Sequence, residues 1–342
     1  SGSHVRFTGR TQGPGSFDLT SITGAYDAFF TMISATADDR DGVVFRPGQT
    51  VTSKALMTLD STSSGITAKG TVTVRGGTGI VVNDHFTGTQ GLIVVEADYE
   101  SAGDGTWTVV ATKLVDTTDS ELLITAWDID LAGTATSGTA TTTIHGAKTT
   151  QTLGLGVTPK DLHILDAELG RFTATGGLTV GSSLTGDLNV DGLSSANTDS
   201  HATITLKATK ANKLVTFGTT ASVFHKGIII QATGVVQSAD VTTALTHTII
   251  NTSTGTLTIA ASKALSTTNR VLELTLDDIA LAGTISTGTT TLVVECSTPG
   301  RTIGLGTAAA QFRLGDAELG LITSTGMSLG GANCGSQTVT GV

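Results

Sequence analysis

Two pairs of carboxylates are the first residues with chemistry in reach. Asp166 and Glu168 stand in the string Asp-Ala-Glu-Leu-Gly, and Asp316 and Glu318 stand in an identical string 150 residues later. On a strand, positions i and i+2 share a face, so each pair would offer two carboxylates to a calcium ion. Calcium asks for six or more oxygens, and neither pair has a third acidic neighbour in sequence. The competing reading makes the string a turn, in which Asp accepts backbone N–H groups and Gly takes a positive φ. Glycoside hydrolysis needs two carboxylates held across a cleft at a set separation, and an evenly duplicated pair suits architecture better. No cofactor is expected beyond calcium at these four residues.

Other candidates are less repeated. Asp128 and Asp130 invite the same calcium reading, but the later copy has Asp278 and then Ala280. His145 aligns with Glu295 and His163 with Arg313, while His85, His201, His225 and His247 are solitary. A polysaccharide-active site would need several Asp with a nearby Arg or Lys. Asp161, Asp166, Glu168 and Arg171 come nearest, and a structural ion pair accounts for them more simply. No catalytic residue is expected, and the chain reads as a non-enzyme. Trp107 and Trp127 are the only tryptophans and stand opposite Leu257 and Asp277. They are the candidate ligand-binding residues, because an exposed indole stacks on a sugar ring; the alternative is one-off packing. The T-x-T pairs Thr71/Thr73, Thr141/Thr143, Thr246/Thr248 and Thr289/Thr291 suggest an ice-binding face, although their spacing is irregular. Cys296 and Cys334 would form one bridge between neighbouring turns or remain two buried thiols. Asn251-Thr252-Ser253 is a glycosylation sequon.

The elements that must carry these residues are strands. Thr accounts for 67 of the 342 residues and Gly for 43, whereas aromatics are 4% and charged residues 14%. β-Branched side chains in short runs fit a pleated surface. The mean hydropathy of +0.20 argues against disorder. A net charge of −10 with no basic cluster excludes nucleic acid as a partner. No apolar run is long enough to span a bilayer, so membrane insertion is not expected.

A second copy follows the first. Residues 121–176 and 271–326 share 23 identities in 56 gapless positions. Ala55-Leu56-Met57-Thr58-Leu59 resembles Ala202-Thr203-Ile204-Thr205-Leu206, which suggests that the copies open alike at an offset of 147. Apolar-centred runs recur about every eleven residues, the length of a strand plus a turn. Many of them alternate, as in Thr71-Val72-Thr73-Val74 and Thr256-Leu257-Thr258-Ile259. The domains expected are 1–50, a cap or degenerate first turns; 51–200, copy 1; and 201–342, copy 2. In the first, Phe17, Ile22, Tyr26, Phe29, Phe30 and Ile33 have the spacing of one helical face. Scarce aromatics and few hairpin signals favour an all-β parallel β-helix, a solenoid of two super-repeats of about 150 residues, over tandem β-sandwich domains. At 20–30 residues per turn such an array would have about ten to fifteen turns.

Thr175-Gly176-Gly177-Leu178-Thr179-Val180-Gly181 through Gly186-Asp187-Leu188-Asn189-Val190-Asp191-Gly192 resembles filamentous-haemagglutinin-type repeats and the giant β-strand-repeat surface proteins. The likeness covers roughly residues 51–342. It implies a right-handed β-helix shaft, secretion, and an adhesive or scaffolding role at the cell surface. Carbohydrate or another surface ligand would be the partner, and cut sheet ends would allow end-to-end self-association. The Asn-Pro-rich secretion motif of bacterial adhesins is absent.

Overall fold

The computed structural model describes residues 42–61 and 64–342, with the backbone of three short strands before them, Val5–Phe7, Phe17–Asp18 and Phe30–Met32. The strands of all three faces pair in parallel in both units, which identifies a β-helix and removes the sandwich alternative. Two compact units emerge, interleaved in sequence. Unit 1 holds residues 1–151, 161–179 and 200–202, and unit 2 holds 152–160, 180–199 and 203–342.

In unit 1 the chain visits three sheets in fixed order. Face 1 contains Gln49–Ser53, Val72–Gly76, Ile93–Glu96, Leu122–Ala126 and Thr142–Gly146. Face 2 contains Met57–Leu59, Gly79–Val82, Thr106–Val109 and Asp128–Leu131. Face 3 contains Val43–Phe45, Ile66–Ala68, Phe86–Gly88, Leu114–Asp116, Thr134–Gly138 and Phe172–Ala174. Unit 2 repeats the cycle from Ile204–Ala208 on face 1 through Val215–Phe217 on face 2 to Ser222–Val223 on face 3, and onward to Thr284–Ser286.

Parallel, in-register stacking turns strand alternation into interior columns. Met57, Ile80, Trp107 and Ile129 form one, and Val43, Ile66, Phe86, Val115 and Ala135 form another. Unit 2 stacks Leu206, Ile230, Ile250, Leu274 and Val294 in the same way. Each fully buried aliphatic side chain contributes roughly 1.5–3 kcal/mol, so the columns carry the fold, with single aromatics such as Trp107 and Phe86 filling places within them.

Corners need a second device, because a turn leaves carbonyls facing inward. Thr117, Ser137, Thr267 and Thr287 are buried hydroxyls, and each donates to the carbonyl three residues on: Ser120, Ala140, Arg270 and Thr290. Left-handed residues tighten these corners, Asp119 at φ 58° and Asn269 at φ 60° among them. Asp119 Oδ1 then accepts Thr139 N–H at 2.7 Å, and Asn269 Oδ1 accepts Thr289 N–H at 3.0 Å, so each corner ties to the next.

Three expectations change. The offset of 147 is a misregistration, since Met57–Leu59 lies on face 2 and Ile204–Ala208 on face 1. Gln49 and Ile204 are the true counterparts, 155 residues apart; the offset falls to 150 only at Thr106 and Thr256. The five residues of difference lie in one connection, 97–105 in copy 1 against 252–255 in copy 2. The helical face fails at Phe17 and Phe30, which are in strands stacked on Val43 and Met57; Ile22, Tyr26, Phe29 and Ile33 lie outside the described residues. The threonine pairs also form no common face: Thr248 is buried, and Val94 and Leu123 interrupt the outward column between Thr73 and Thr143.

Candidate functional site

The duplicated carboxylate string terminates a ladder. Asp166–Leu169 is a single helical turn, as is Asp316–Leu319, so the strand geometry that would pair the carboxylates is not present. Gly170 has φ −67° and Gly320 φ −64°, so neither adopts the positive φ expected of a turn. Glu168 accepts two backbone donors. Its Oε2 takes Leu165 N–H at 2.8 Å, and its Oε1 takes Leu131 N–H at 2.9 Å. Arg171 donates to the Leu131 carbonyl at 2.8 Å, and Asp128 Oδ1 accepts His163 N–H at 2.8 Å. The open edge of Asp128–Leu131 is thereby closed by side chains and by the segment that follows. Glu318 repeats the contact more loosely, 2.8 Å from Gly315 N–H and 3.4 Å from Leu281 N–H.

Burial pushes the carboxyls of Glu168 and Asp128 upward, against the N–H groups that hold them. Both Glu168 oxygens are committed to backbone donors. Among the described residues no three His, Cys, Asp or Glu gather as a metal site. The histidines stay apart: His85 Nδ1 accepts Leu114 N–H, and His145 Nε2 meets Thr125 Oγ1 at 3.3 Å.

The two tryptophans have opposite fates. Trp107 is fully buried in the face-2 column, 6.2 Å from the Phe172 ring, and its Nε1 has no partner among the described residues. It offers no face to a ligand, which corrects its candidacy; strand alternation turns it inward with Val109. Trp127 is half-buried at a corner where face 1 passes to face 2. Lys148 Nζ stands 5.7 Å from its ring centroid. Gly103, at φ 93°, backs the indole so closely that a Cβ there would lie 3.3 Å from the ring.

The nine-residue connection 97–105 wraps this corner, a feature that residue-by-residue motif reading missed. Asp98 is buried and accepts Ala102 N–H and Gly103 N–H, each at 2.9 Å. Burial is the largest effect on its carboxyl and raises it. Asp104 adds to that rise, while the two N–H groups and Lys148 oppose it. Ser101 Oγ donates to Ala147 O at 2.9 Å, and Lys148 Nζ to Ala102 O at 3.2 Å. Buried Gln151 ties the base, donating to Trp127 O at 2.7 Å and Ala126 O at 3.1 Å. Tyr99, half-buried, has its phenol raised by burial and by Glu100. Trp127 and Lys148 together make an aromatic and charged corner on a chain poor in both. Such a set can stack on a ring and orient its hydroxyls.

In unit 2, Cys296 and Cys334 are bonded, their Cα atoms 5.2 Å apart, and they join Thr291–Cys296 to Cys334–Thr340. Asn251 is exposed at a strand end, with its Oδ1 accepting Ser253 N–H at 2.8 Å. No helix among the described residues is long and apolar enough to cross a membrane. No family model, curated protein or solved structure matches the chain.

Proposed function

We propose that the chain is a non-catalytic structural and adhesive segment of a secreted or cell-surface protein. The observation that carries this is the interior: like stacks on like through both units, and the duplicated carboxylates close ladder ends. A bonded cysteine pair supports an oxidising, extracellular compartment. The resemblance to filamentous-haemagglutinin-type repeats rests on sequence motifs and adds to the same reading.

A second reading, a glycan-binding adhesin module, is favoured by the Trp127 corner, where a half-open indole sits beside Lys148. A glycan array probed with the purified chain, with calcium and again with a chelator, tests the adhesive part. Binding that survives the chelator and disappears in Trp127→Ala supports a contact at this corner. Binding lost with the chelator would return attention to Asp166, Glu168, Asp316 and Glu318 as calcium ligands. Absence of binding in both conditions removes the lectin reading and leaves a structural segment.

A further inference from the structure

The connections from face 1 to face 2 change in length along unit 2. Six residues, 209–214, link Ala208 to Val215. Two, Thr233 and Gly234, link Ala232 to Val235, and four, 252–255, link Asn251 to Thr256. A short connection between two longer ones is recessed. The recess is an open groove of about 630 Å³, with Thr209, Asn212 and Leu214 on one side, Ser253 and Thr254 on the other, and Thr233 between.

No residue that lines it is ionisable. The side chains of Thr209, Asn212 and Thr254 are exposed and have no hydrogen-bond partner among the described residues. Thr233 Oγ1 donates to Lys213 O at 2.6 Å and keeps its capacity to accept. Leu214 adds a half-buried apolar patch. The groove therefore presents neutral donors and acceptors around a small apolar surface.

Unit 1 has the counterpart recess, and there the chain fills it. Gly77 and Thr78 form the two-residue connection, between 54–56 and the long 97–105. Glu100 Oε1 lies 2.7 Å from where a Cβ on Gly77 would stand, and Tyr99 N–H donates to Gly76 O at 3.3 Å. Copy 2 is five residues shorter at this connection and leaves its own recess open.

We propose that the copy-2 groove is a binding site for neutral carbohydrate. The Asn212 amide and the Thr209 and Thr254 hydroxyls engage sugar hydroxyls, and Leu214 meets the apolar edge of a ring. An uncharged lining gives no reward to phosphate, sulfate or uronate groups, which a chain of net charge −10 also repels. The open shape suits an internal stretch of a glycan chain. This inference deepens the adhesive reading and rests on it, at residues separate from those around Trp127.

The experiment is titration calorimetry of the full chain with neutral β-1,4-, β-1,3- and α-1,6-linked hexose hexasaccharides, beside a sulfated hexasaccharide. Asn212→Gly keeps the left-handed backbone at φ 60° and removes the amide; Thr254→Val removes one exposed hydroxyl. Each is expected to weaken binding about three- to tenfold, the loss of one net hydrogen bond, with melting temperature unchanged. Grafting the seven residues Asp98–Asp104 in place of Ser253-Thr254 should abolish binding. Binding of a neutral hexamer that follows these variants, ignores Trp127→Ala and changes less than twofold between 50 and about 500 mM salt supports the groove. Binding lost in Trp127→Ala but untouched by the groove variants overturns it and leaves the adhesive reading standing. Preference for the sulfated probe, or no neutral hexamer bound, also overturns it.

Discussion

The same corner is built twice and held by different chemistry. In copy 1, Trp127, Lys148 and Gln151 surround the passage from face 1 to face 2. Their counterparts 150 residues on are Asp277, Thr298 and Arg301. Buried Asp277 accepts Thr298 N–H at 2.8 Å and lies 3.6 Å from Arg301 Nη1, while the Cys296–Cys334 bond secures the strand alongside. Between residues 142 and 151 and their counterparts no position is identical, whereas the ladder-end string Asp-Ala-Glu-Leu-Gly recurs unchanged and the interior columns keep apolar residues. Interior positions answer to stacking, which is the same in both copies. Corners answer to whatever meets the surface, and there the copies have separated.

The strongest way to break this picture is at the interior tryptophan. If Trp107 belongs to the column and not to the corner, Trp107→Ala should cost about 3–5 kcal/mol in urea unfolding. Trp107→Phe should cost far less, because it keeps the contact with Phe172 and removes an indole N–H that has no partner among the described residues. Equal and small losses from both would show that the column is not close-packed there.

The copy-2 corner comes next. Reduction, or the double substitution Cys296→Ser with Cys334→Ser, should lower stability by about 2–4 kcal/mol, the range for a cross-link closing a loop of this size. The separation of the two cysteines is 38 residues. If the copy-1 corner is held by its amide instead, Gln151→Ala should cost about 1–3 kcal/mol by removing the partner of the Trp127 carbonyl and of the Lys148 N–H, while Ala126 O keeps the Ala147 N–H. Arg301→Gln should be milder, because Thr298 still satisfies Asp277. Thermal melts of the two variants side by side check the order.

A pH series separates the two ladder ends. The Glu168 carboxyl is raised in the folded state by burial, so the folded chain binds that proton more tightly than the unfolded one. Its stabilising share is full below the unfolded value, near 4.3 for Glu, and is lost as pH rises through the raised folded value. The stability of the parent relative to Glu168→Gln should therefore grow as pH is lowered from 7 towards 4. A flat difference would show that the two backbone N–H groups offset the burial fully.

Much of this was legible in the chain, though not which sheet each strand joins. Alternation in Thr106-Trp107-Thr108-Val109 already turns Trp107 to the side of Val109, and Leu257 at its counterpart says the same. Alternation alone cannot say which of three sheets a strand joins. Ala-Leu-Met-Thr-Leu and Ala-Thr-Ile-Thr-Leu therefore look like partners although they lie on different faces. Asp-Ala-Glu-Leu consists of residues that tolerate a helix, but the partner that gives Glu168 its role is Leu131, 37 residues earlier. Such a contact exists only once the rungs are stacked. The groove in unit 2 was hidden for a related reason: it is made by unequal connection lengths on adjacent rungs, and its lining residues carry no motif.

The smallest expected effect is also the most diagnostic for the copy-1 corner. Lys148→Ala removes a cation over the Trp127 ring and the donor to Ala102 O. Exposed cation–π pairs are worth about 0.5–1 kcal/mol, so the melting temperature should fall only slightly. Indole fluorescence should respond more, because Trp107 is buried in both proteins and any change in quenching or emission comes from Trp127. Acrylamide should quench one of the two indoles more readily in the variant. If quenching is unchanged, Lys148 does not cover the ring in solution, and Trp127 stands more open to a ligand than its counterpart Asp277, which Thr298 and Arg301 enclose.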